Sequence, residues 1–196
     1  MTTKDRILEE ALRLFSEKGY DGTSVESIAE AVGIKAPSLY KHFKGKEEIL
    51  NCIIDISEKR YSENFGTAHS SWELPESKEA FIKVSKERFR FTLFDPNIRR
   101  IRIFMTQEQF RNRRMAEITN RHKMEDVQNI FKKILTEMME AGIVKKDDPE
   151  LLAIELASPA VLFISKGDRM PESREELLEQ FERHVRHFCD VYFIKQ

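Results

Sequence analysis

Thr23-Ser24-Val25-Glu26-Ser27-Ile28-Ala29-Glu30-Ala31-Val32-Gly33-Ile34-Lys35-Ala36-Pro37-Ser38-Leu39-Tyr40-Lys41-His42-Phe43-Lys44-Gly45-Lys46-Glu47 is the stretch that decides the fold. Thr23 followed by Glu26 fits a capping box, and Val25, Ile28, Ala29 and Val32 give the helix after it one apolar face. Gly33 breaks that helix. Leu39 and Phe43, four apart, resume helical spacing, and Pro37 is tolerated in a first turn because its missing N–H has no intrahelical acceptor there. Two short helices about a glycine turn are the layout of a helix-turn-helix. The sixteen residues between Glu30 and Glu47 hold Lys35, Lys41, Lys44, Lys46 and His42 and no acid, although the first 47 residues carry eight bases and eight acids. A lysine run is usually a solvated face; this one coincides with the second helix, which in such a motif enters the DNA major groove. Leu39 and Phe43 must face a core with Ile28 and Phe15, which leaves Lys35, Ala36, Ser38, Tyr40, Lys41 and His42 outward or flanking. Phenol, imidazole and ammonium groups all donate to phosphate oxygens.

Upstream, Ile7, Leu8, Ala11, Leu12 and Phe15 make a first helix over 4–18 that stops at Gly19. Downstream, Lys46-Glu47-Glu48 opens a fourth helix through Ile49, Ile53, Ile54 and Ile56 to about residue 64. Residues 66–76 read as a loop. Ser77 caps a fifth helix with Ala80, Phe81, Val84 and Phe91, and Asp95-Pro96 restarts the chain. Met124, Val127, Phe131, Ile134 and Met138 mark a long amphipathic helix before Gly142, while Asp148-Pro149 and Ser173 with Glu176 open two last helices. Pro159 predicts a kink in the first of these.

The whole chain of 196 residues agrees with this texture. Gly 7 and Pro 6 are few, and 25 of the 34 acids are Glu, a good helix former, so the composition is all-α. With Lys+Arg 33 and a net charge of -1, it is no general DNA-coating protein. Cys52 and Cys189 have no metal-ligand spacing and suggest reduced, cytoplasmic thiols; no secretion signal or membrane span is legible. No phosphate loop, nucleophile elbow or zinc motif is present, and no Glu-x-x-His precedes any histidine, so neither enzyme, cofactor nor metal is expected; His184 and His187 are better read as surface residues.

The ordered run Thr23-Ser24-Val25, Ile28-Ala29, Val32-Gly33-Ile34, Leu39-Tyr40, His42-Phe43 and Lys46-Glu47 resembles the DNA-binding head of the TetR family of transcriptional regulators. The resemblance covers about residues 5 to 50. It implies an all-helical homodimer of about nine helices: a three-helix head, 1–47, and a ligand-binding and dimerisation body, 48–196. Its implied function is repression at a palindromic DNA operator, relieved by a small-molecule inducer. Carried over by position, Thr23 or Ser24 holds a phosphate, Tyr40, Lys41 and His42 contact the backbone or groove, and Lys46 holds a phosphate. Lys35, Ala36, Pro37 and Ser38 approach base edges. Val32 replaces the family's usual small Ala, and Lys35 replaces a usual capping Ser or Thr, leaving open whether it meets a base or a phosphate.

In the body, Phe89, Phe104, Phe110, Phe131, Met138 and Phe163 are candidates to line a ligand pocket, with plain core as the commoner use of such residues. Leu152 and Leu156, with Leu178, Phe181, Val185 and Phe188, suggest a four-helix dimer interface, or else intrachain core. The basic cluster Arg99, Arg100, Arg102, Arg111, Arg113, Arg114, Arg121 and Lys123 reads as a solvated surface, an anionic-ligand mouth or a surface that contacts the head. An all-α enzyme and an architectural DNA-binding protein are the alternative functions.

Overall fold

A computed structural model describes residues 1–65 and 73–194, apart from the side chains of residues 65 and 122–124. Among the described residues the chain forms ten α-helices and no strand: α1 (Thr3–Lys18), α2 (Val25–Val32), α3 (Ala36–Leu39), α4 (Lys46–Phe65), α5 (Lys78–Phe94), α6 (Pro96–Glu108), α7 (Arg113–Asn120), α8 (Val127–Glu140), α9 (Pro149–Arg169) and α10 (Arg174–Tyr192). A wider, π-helical turn, Arg121–Asp126, carries α7 into α8. Much of the loop expected over 66–76 falls outside the described residues.

The helices divide into two compact units, Met1–Glu63 with Pro96–Thr119, and Asn64–Asp95 with Asn120–Gln196. A single cut after residue 47 therefore does not describe the packing. The chain passes between the units at 63/64, 95/96 and 119/120.

In the first unit, apolar faces of α1, α2, α3 and α4 close on one core that includes Ile7, Phe15, Ile28, Leu39, Phe43 and Ile49. Ile101, Phe104, Met105, Met115 and Ile118 complete that core from α6 and α7, with the Phe104 ring stacked on Phe15 at 5.5 Å between centroids. Ile56, counted with the apolar face of α4, is instead half exposed.

The second unit packs α9 against α5, α8 and α10. Gly142, at φ 72°, ends α8 in the left-handed conformation expected of it. Asp148 caps α9 by accepting the N–H of Glu150 at 2.8 Å. Ser173 does not cap α10; its hydroxyl donates to the Met170 carbonyl at 2.7 Å. α9 continues through Pro159, which removes one intrahelical hydrogen bond. At Gly167 a Cβ would stand 2.8 Å from Leu93 Cδ1 and 3.3 Å from Leu177 Cδ1, so the missing side chain permits α5 and α10 to approach α9. Arg174 Nε donates to the Gly167 carbonyl at 3.0 Å and so ties the two last helices together.

Candidate nucleic-acid interface

The turn between α1 and α2 determines which hydroxyl meets the outside. A Cβ on Gly22 would lie 2.3 Å from the Lys18 carbonyl oxygen, so only glycine fits there. Thr23, next to it, is 1% exposed and donates its hydroxyl to the Gly19 carbonyl at 2.8 Å. Ser24 is the residue that caps α2, accepting the Ser27 N–H at 3.1 Å while Ser27 Oγ accepts the Ser24 N–H at 3.1 Å. The capping box thus lies one residue later than the Thr23 and Glu26 pair. Thr23 is withdrawn from any surface, and Ser24, which is exposed, is left as the candidate phosphate donor at this helix start.

Gly33, at φ 77° and ψ 32°, takes the left-handed turn between the motif's helices, a conformation costly to other residues. Arg6 on α1 closes the end of α2 by donating to the Val32 carbonyl at 2.5 Å. α3 is only four residues long, starts without a side-chain cap at Lys35, and carries Pro37 in its first turn. Beyond Leu39 the coil tightens through His42 N–H to the Leu39 carbonyl at 2.8 Å and Phe43 N–H to the same carbonyl at 3.1 Å. Leu39 and Phe43, 0% and 2% exposed, anchor it in the core beside Ile28 and Phe15 as their spacing requires. That anchoring leaves Lys35, Pro37, Tyr40, Lys41, His42 and Lys44 exposed and Ser38 half-buried. Ala36 is half-buried against the core.

Lys46 departs from expectation. Its ammonium donates to the Tyr20 carbonyl at 2.8 Å and the Thr23 carbonyl at 3.0 Å, and lies 4.3 Å from the centre of the Tyr20 ring. It braces the α1–α2 turn from the first residue of α4 instead of reaching outward for a phosphate. Burial raises the pKa of the Tyr20 phenol, with Glu47 and Asp21 adding to the rise and Arg114 opposing it, so the ring under the ammonium stays a neutral phenol. Arg6, Tyr20 and Glu108, whose carboxylate accepts the Tyr20 N–H at 3.3 Å, are positioning residues that sequence reasoning missed. No local spacing announces a bond between residues 88 positions apart.

The six pocket candidates do not converge. Phe89, Phe131, Met138 and Phe163 belong to the core cluster of the second unit, Phe104 to the core of the first, and Phe110 is 89% exposed. The six dimer candidates are also reassigned. Leu152, Leu156, Leu178, Phe181, Val185 and Phe188 are all at most 4% exposed within the single chain, and Phe181 stacks on Phe89 at 4.1 Å. They are intrachain core, because α5 and α8 cover the faces they occupy. The open apolar side chains of α9 are Leu151, Ile154 and Leu162, at 62%, 38% and 64% exposure. The basic cluster is dispersed too: Arg102 is buried, Arg113 pairs with Glu117 at 2.9 Å, and the side chain of Lys123 lies outside the described residues. His184 Nε2 sits 3.3 Å from the Leu156 carbonyl oxygen. Burial pushes the Cys189 thiol up to about 12, which keeps it protonated.

Residues 7–53 match the family model described as bacterial regulatory proteins, tetR family. The biofilm operon icaADBC HTH-type negative transcriptional regulator IcaR of Staphylococcus epidermidis is 43% identical over 70 residues, a match covering 32% of this chain and 38% of that relative. IcaR of Staphylococcus aureus strain Newman is 50% identical over 56 residues, 26% of this chain and 30% of its own length. The chain thus matches well under two thirds of these curated relatives. Over the full length the fold is that of SmeT, the repressor of the Stenotrophomonas maltophilia multidrug efflux pump SmeDEF. That structure covers 100% of this chain and 92% of its own, with a TM-score of 0.73 and 19% identity. SmeT solved with triclosan gives a TM-score of 0.78 at 18% identity, covering 100% of this chain and 93% of its own. Salmonella enterica GusR gives 0.70 at 22%, covering 96% and 94%. The head, residues 7–53, is thus similar in sequence to the tetR family of bacterial regulatory proteins, and the whole chain shares the fold of those solved regulators.

Proposed function

We propose that this chain is a homodimeric transcriptional repressor that binds a palindromic DNA operator and leaves it when a small molecule binds the body. One observation carries the reading: the acid-free segment 31–46 is held on a helix-turn-helix whose apolar residues point inward, leaving Lys35, Tyr40, Lys41, His42 and Lys44 outward. Such a face offers cations and a phenol to phosphates, while Lys35, Pro37 and Ser38 stand at the start of the short reading helix. Functionally, residues 1–47 bind DNA and residues 48–196 bind ligand and dimerise, even though 48–63 and 96–119 pack with the first unit.

The exposed stripe Leu151, Ile154 and Leu162 on α9 is the proposed dimer surface, since these positions share one helical face and the buried candidates cannot serve. A symmetric dimer would present two reading helices to half-sites roughly 34–36 Å apart. A small molecule that prefers a body conformation with unmatched heads releases the operator in proportion to that preference. The triclosan complex of a protein with this fold supports a small-molecule ligand here, and the aromatic cluster of Phe89, Phe131 and Phe163 in the second unit is the proposed place to look for it.

The test is selection of bound duplexes from a random-sequence library by the full chain, followed by affinity titrations against the selected and a scrambled duplex. A palindromic consensus is expected, with Lys35→Ala changing preference at a defined base pair by about 1 to 3 kcal/mol. Equal binding to selected and scrambled duplexes would instead favour an architectural protein.

A further inference from the structure

The turn joining α6 to α7 carries groups that the helix-turn-helix does not use. Phe110 is 89% exposed, and Arg111, Arg113 and Arg114 around it are exposed as well. The turn is built rigidly. The Glu108 carbonyl accepts the N–H groups of Arg111 at 2.9 Å and Asn112 at 2.8 Å, and Asn112 Oδ1 accepts the Met115 N–H at 3.3 Å above a fully buried Met115 side chain. It is also moored to the head: the buried Glu108 carboxylate accepts the Tyr20 N–H, and its Oε1 lies 3.0 Å from where a Cβ on Gly19 would stand. Four residues after Tyr20 comes Ser24, the exposed cap of α2. Arg113 pairs with Glu117, and Asp21 and Glu47 lie close enough to Tyr20 to act on it. Among the described residues Arg111 and Arg114 form no ion pair.

We propose that residues 110–114 are a second DNA-contacting element, in which Arg111 and Arg114 hold backbone phosphates outside the base pairs read from α3 and the Phe110 ring lies against the deoxyribose edge. A guanidinium fork suits a phosphate better than a lysine does, and it is held here on a hydrogen-bonded turn moored through Glu108 to Tyr20, between α1 and α2. Exposed as it is in the free protein, the phenyl ring gains by being covered. DNA is favoured over other anionic surfaces because the turn belongs to the same compact unit as the helix-turn-helix.

The inference rests on the DNA-binding reading, and its experiment separates the two. The selected operator is prepared as a duplex trimmed to the consensus and as one with extended flanks, and the full-length wild type and an Arg111→Ala, Arg114→Ala variant are titrated over a salt series. On the extended duplex the variant should lose about 0.9 of log–log salt slope for each phosphate contact removed. On the trimmed duplex the two proteins should have the same slope, and an Arg111→Lys, Arg114→Lys variant should keep most of the wild-type slope on both. Identical slopes for wild type and alanine variant on the extended duplex overturn the inference while leaving the helix-turn-helix reading intact. Absence of any sequence-preferring wild-type binding defeats both. Binding of the wild type to phosphatidylglycerol vesicles that Phe110→Ser abolishes, with DNA binding unchanged, would assign the turn to a membrane surface and overturn the DNA contact.

Discussion

Lys46 and Tyr40 illustrate how differently two residues of one motif can act. Lys46 is held by two carbonyls and a ring, so Lys46→Ala should cost about 1.5 to 3 kcal/mol of stability by denaturant titration, the range for hydrogen bonds to a charged group. Its direct effect on the salt dependence of DNA binding should be small. An unchanged unfolding midpoint with a flatter salt slope would return Lys46 to the phosphate. Tyr40 is 51% exposed, and Tyr40→Phe should leave stability alone and weaken binding to all sequences. If its hydroxyl holds a phosphate as proposed, the loss should not depend on the base sequence. Much of this site was legible beforehand, because a four-residue spacing such as Leu39 to Phe43 separates inside from outside without knowledge of the rest. The errors fell where neighbours are chemically alike. Thr23 and Ser24 are adjacent hydroxyls, and only the impossibility of a side chain at Gly22 shows which one turns inward. Lys46 could reach in either direction, and the carbonyls that hold it come from a turn whose geometry no spacing announces.

Between α5 and α10 runs a line of charge: Lys78 with Asp190, Glu79 with Arg186 at 2.9 Å, and Glu182 with both Lys86 at 2.6 Å and Arg186 at 3.4 Å. The hydrogen bond from Lys86 is the largest cause holding the Glu182 carboxyl below its ordinary value of 4.5. Because the folded state holds this proton less tightly than the unfolded chain, the contribution to stability is complete above that ordinary value. It is lost as pH falls through the lowered one. Glu182→Gln should therefore reduce the acid-side slope of stability against pH below about 4.5, with little change in that slope near neutrality, measured by urea unfolding across a pH series. In the same unit, Gly167→Ala should destabilise by about 1 to 3 kcal/mol, since the added methyl meets Leu93 and Leu177; an unchanged melting temperature would mean that α5 and α10 can yield there. Helix α9 also marks the limit of pattern reading. It is apolar nearly all round, so periodicity cannot distinguish the side that meets α5, α8 and α10 from the side left open. The sign of the error follows from this: Leu152 and Leu156 are core, while Leu151 and Leu162, equally apolar, are exposed.

At the scale of the molecule, dimerisation is the property to test first. Leu162→Glu should give monomers in sedimentation equilibrium with the unfolding transition of the monomer unchanged, and should weaken binding to the paired half-sites more than to a single one. A dimer that persists places the contact on another face. Phe181→Glu would not report on association, since Phe181 is stacked on Phe89 inside the chain and the substitution would place a charge in that core.

Ile101, Phe104, Met105, Met115 and Ile118 complete the core that holds Phe15, so the unit that carries the helix-turn-helix is discontinuous in the chain. During synthesis, at about 5–20 residues per second, the first 47 residues leave the ribosome seconds before the residues that complete their core. Until residue 104 emerges Phe15 lacks its stacking partner, and until residue 118 does the core lacks part of its cover. The same arithmetic bears on grafting: a chimaera that joins residues 1–47 to a foreign body inherits the reading surface without its floor. A graft that retains α6 and α7 beside the head keeps both.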